Sequence, residues 1–164
     1  MIGISAHPIY PDAPGSDWDL RRRVSNIPAD TDCIIILGDT NSGNDSNAIK
    51  SYDDCFTAPS FDSWLGRWHM ALDAIRKSFP TVPILLCNIY AWNSSTFKIN
   101  QTKYMPLVFE ALSNVYSCKH VNLAQESTLS YYNHKDIHIP HDDMPDYADP
   151  IIQALRNTKP PRWK

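Results

Sequence analysis

Apolar and polar positions change their spacing several times along the chain, and each change marks an element. "DCIIIL" (32–37) strings aliphatic residues together with no alternation, the pattern of a strand covered on both faces in a parallel sheet. In "SWLGRWHMALDAIRKSF" (63–79), Leu65, Trp68, Leu72, Ile75 and Phe79 recur at steps of three and four, which gives a helix one apolar stripe. Asp62 or Ser63 caps its start, and Pro80 stops it. "VPILLCNIY" (82–90) reads as a second buried strand and the polar "AWNSSTFKIN" (91–100) as a loop. A second helix is expected over "TKYMPLVFEALSNVYSC" (102–118), with Tyr104, Val108, Ala111 and Val115 on one side. Pro106 is tolerable there only near the first turn. "KHVNLA" (119–124) is a third strand and "DYADPIIQALRN" (146–157) a closing helix. Upstream, Ser16 and Asp19 have capping-box spacing for a short helix over "DWDLRRRVSN" (17–26), ended by Pro28.

Strands alternating with helices imply an α/β fold, a parallel sheet covered on both sides and joined by right-handed crossovers. Ligands in such sheets lie at the carboxyl ends of the strands. "CIIILGDTNSGND" (33–45) is therefore of interest: a strand runs into a loop of Asn, Asp, Ser and Gly. The same residues make ordinary polar turns, and both readings stay open.

Composition narrows the classes. A chain of 164 residues, 43% hydrophobic and 20% charged, fits one globular domain. A net charge of -3 carries no basic footprint for nucleic acid, and Arg21–Arg23 read as a solvated helix face. No apolar run reaches membrane-span length, and "MIGISAHPIYPD" has neither the basic region nor the apolar stretch of a leader. Cys33, Cys55, Cys87 and Cys118 form no C-x-x-C pair, and reduced, structural thiols are expected.

The densest set of titratable groups is His134, Asp136, His138, His141, Asp142 and Asp143. It is open to three readings: a base-and-acid pair, a solvated loop, or a metal site. The spacing matches no helix-borne ligand pair once Pro140 is counted, so no metal or cofactor is expected. Trp92, Asn93 and Phe97 line a substrate groove on one reading and merely anchor a loop on the other. His69 and His120 are expected on helix and strand surfaces, without a role.

"GISAH" (3–7), "IIILGDTNSGND" (34–45) and "KDIHIPHDDMPDYADPIIQAL" (135–155) together resemble the SGNH, or GDSL-type, esterases and lipases. The resemblance implies their flavodoxin-like three-layer α/β/α sandwich. It puts Asn41 where the family's Asn lends its side-chain amide to the oxyanion. Ala6 stands where the family has a Gly whose backbone N–H serves the same hole. Asp136 and His138 fall at the acid and base, spaced Asp-x-His where the family has Asp-x-x-His. The family's Gly-Asp-Ser block, with the nucleophile and its strand, would precede Gly3 and has no counterpart here. Thr40, in "GDT", is an alternative nucleophile, although the downstream segments fit the Asn block better.

What the resemblance implies is an ester hydrolase acting on O-acetyl or short acyl esters, with acylated carbohydrate among its candidate substrates. A Ser from outside these residues would attack, so the sequence is a fragment, another segment supplies the first strand, or the N-terminus packs in some other way. Self-association is expected if that strand's neighbours are left bare. The competing expectation is a catalytically degenerate domain with a binding or assembly role.

Overall fold

The computed structural model describes residues 23–38, 64–88, 99–126 and 141–158. Three parallel strands, β1 (Ile34–Gly38), β2 (Ile84–Asn88) and β3 (Lys119–Asn122), form a sheet in the order β1-β2-β3. The register pairs Gly38 with Asn88 and Asn88 with Asn122, so the last residues of the three strands form one row. Between the strands run helices α1 (Trp64–Ser78) and α2 (Ile99–Tyr116). A short helix α3 (Leu123–Glu126) follows β3, and α4 (Met144–Thr158) closes the described chain. The fold is α/β with a parallel sheet, as the alternation of patterns implies.

Side chains decide the layers. On α1 the stripe Trp68, Leu72, Ile75 and Phe79 is buried. On α2 the buried residues are Met105, Val108, Phe109 and Leu112. Trp68 and Phe109 meet edge-to-face, with ring centroids 4.9 Å apart, over Gly38. A Cβ on Gly38 would stand 2.7 Å from Trp68 Cζ2 and 3.3 Å from Phe109 Cζ, so packing alone requires a glycine there. Both crossover helices thus lie on the Gly38 face, the arrangement of right-handed connections. α4 packs on β2 and β3 and buries Pro150 and Ala154. All five residues of β2 are buried, which needs cover on both faces.

Several expectations need correcting. β1 is covered on one face only: Ile34, Ile36 and Gly38 are buried, whereas Ile35 and Leu37 are 38% and 44% exposed. It lies at one side of the described sheet, beside a helix pair on one face, while α4 serves β2 and β3 on the other. The α2 stripe is rotated from the expected one, with Val115 64% exposed and Phe109 and Leu112 inside. Two apolar stripes share Val108, and the sheet receives the one with the larger side chains. α2 also begins at Ile99 rather than Thr102, which leaves Pro106 inside the helix. Leu123 and Ala124 belong to a helical turn, not to β3.

Opposite the Asn row, the amino ends of the strands are closed by Arg76. Its guanidinium donates to Tyr116 O (2.6 Å), Ser117 O (2.8 Å), Phe79 O (3.2 Å) and Val82 O (2.6 Å). These are carbonyls at the ends of α1 and α2 and at the entries to β2 and β3, where helix geometry leaves acceptors unpaired. Ser117, at φ 52°, takes the left-handed turn, and Cys118 N–H donates to Ser113 O at 2.9 Å, a Schellman closure.

Candidate functional site

Three polar side chains occupy the carboxyl end of the sheet. Asn88, the last residue of the central strand, is completely buried at 0% exposure. His120 Nε2 lies 2.8 Å from Asn88 Oδ1, and Asn88 Nδ2 donates to Asn122 Oδ1 at 3.3 Å. His120 and Asn122 are two apart on β3 and so share a face. The register sets Asn122 beside Asn88 and His120 one row inside, beside Leu86. An amide oxygen accepts only, so His120 Nε2–H donates in this bond.

Burial of such a row is costly unless it is hydrogen-bonded, and these bonds meet that requirement. The row behind the Asn pair sets buried Ile36 and Leu86 beside His120, so it is apolar on β1 and β2 only. The Asn88–Asn122 pair stands at the end where parallel sheets bind ligands. His120 is half-buried and hydrogen-bonded to Asn88, less exposed than the strand-surface place expected of it. A lone Asn ending an apolar run, and His and Asn alternating on the next strand, were the available signals.

His69 serves helix packing. Tyr116 Oη donates to His69 O at 3.0 Å and lies 3.0 Å from His69 Nδ1. Burial holds the His69 pKa below its ordinary value. The Tyr116 hydroxyl is pushed up by burial, then by the nearby Asp73 and Cys118. Burial likewise raises the Cys33 and Cys118 thiols, Arg76 acting against the rise at Cys118. Cys33, Cys87 and Cys118 are free thiols.

Ala6, Asn41, Asp136 and His138 lie outside the described residues, as do Thr40, His134, Trp92, Asn93 and Phe97. What is described is the strand leading to Asn41: β1 delivers its chain at Gly38, beside Asn88. Of the His/Asp-rich segment, His141–Asp143 form a 3-10 turn that enters α4. Asp142, Asp143 and Asp146 thus gather at a helix start, which favours negative charge. Among the described residues no three His, Cys, Asp or Glu side chains are grouped to hold a metal ion, and no helix is long and apolar enough to cross a membrane.

With the architecture defined as an α/β parallel sheet, its likeness to known proteins can be weighed. No family model and no curated protein matches the chain. Among solved structures, a structural-genomics protein from Lactobacillus plantarum is similar, with a TM-score of 0.64 at 19% identity. The match covers 87% of this chain and 76% of that one. At that identity the likeness concerns the fold alone.

Proposed function

We propose that the chain is an SGNH-type ester hydrolase domain acting on O-acetyl or short acyl esters, with acylated carbohydrate as the candidate substrate. The observation that carries this reading is the sheet itself. The strand "CIIILG" ends at the carboxyl rim, next to the central strand, and runs directly into the Gly-x-x-Asn segment containing Asn41. In this reading Asn41 and the Ala6 N–H hold the oxyanion, His138 is the base and Asp136 orients it. A Ser from outside the sequence attacks the acyl carbon. Gly38 contributes less support than its place in the motif implies, because the Trp68–Phe109 pair already demands it.

A second reading, a degenerate SGNH-like domain that binds without turnover, draws on the sequence. It contains no Gly-Asp-Ser, and Asp136 and His138 are one residue closer than the family pattern. Hydrolysis of p-nitrophenyl acetate separates the two. The enzyme reading expects turnover above buffer, lost in His138→Ala and reduced about 10²–10³-fold in Asn41→Ala. Loss in Thr40→Ala would identify the alternative nucleophile. A wild-type rate equal to buffer favours the binding domain.

A further inference from the structure

We draw no further inference here: the strongest candidate, the face of β1 turned away from α1 and α2, where Ile35 and Leu37 are exposed, carries nothing because nothing in the structure shows what covers it.

Discussion

The two ends of the sheet handle buried polarity in opposite ways. At the amino end, one cation, Arg76, serves four backbone carbonyls and so completes two helix ends and two strand entries. At the carboxyl end, the side chains of His120, Asn88 and Asn122 bond to one another. The first arrangement satisfies groups that the fold creates in any case. The second joins side chains that the sequence itself supplies. The one completes the backbone, and the other leaves polar side chains toward the end where parallel sheets hold ligands.

If that contrast is right, the amino end is the more expensive to disturb. Arg76→Ala strips donors from four carbonyls and is expected to cost about 3 kcal/mol in urea unfolding. Arg76→Lys, with three donors and no planar fork, recovers only part of it. An Arg76→Ala protein as stable as wild type would erase the distinction between the ends. Next in size, Gly38→Ala forces a methyl against the Trp68 ring and costs about 2 kcal/mol. Adding Trp68→Leu to it should cost less than the two single changes together, because the clash is gone.

The carboxyl row is sharpened by a double-mutant cycle. Asn88→Leu leaves His120 Nε2–H and Asn122 Oδ1 without their amide, costing about 1–2 kcal/mol. With His120→Leu added, the pair should recover about 1 kcal/mol of the summed cost. Strict additivity would show that the two residues do not act as a unit.

The smallest effect concerns pH. The folded His69 pKa lies below the 6.5 of the unfolded chain, so acid protonates the unfolded state first. Stability from this group is complete above pH 6.5 and is lost as pH falls through the folded pKa. Melting curves between pH 7.5 and 5 should therefore show a steeper decline for wild type than for His69→Gln. Parallel declines would mean that the ring titrates alike in both states.

Periodicity revealed much of the architecture: α1 from Trp68 to Phe79, the doubly covered β2 and the parallel alternation. It failed where two periods fit equally well. Tyr104, Val108, Ala111 and Val115 make as regular a stripe as Met105, Val108, Leu112 and Tyr116, and only the facing sheet selects between them. Ile35 and Leu37 could not be distinguished from their buried neighbours, since a run of four aliphatics carries no sign of which face lacks a partner. Arg76 looked like one more solvated charge on a helix. The residues assigned to the oxyanion and the base, Ala6, Asn41, Asp136 and His138, stand on motif likeness and lie outside the described residues.

By itself, then, the sequence determined the class of fold, because burying one face of each element imposes a local spacing of apolar residues that can be read in order. It could not determine the polar rows at the two ends. Asn88 and His120 are 32 residues apart, Arg76 and Tyr116 are 40, and nothing in either local pattern announces its partner. Strand register and helix docking bring them together, and register is settled only when the whole sheet is packed.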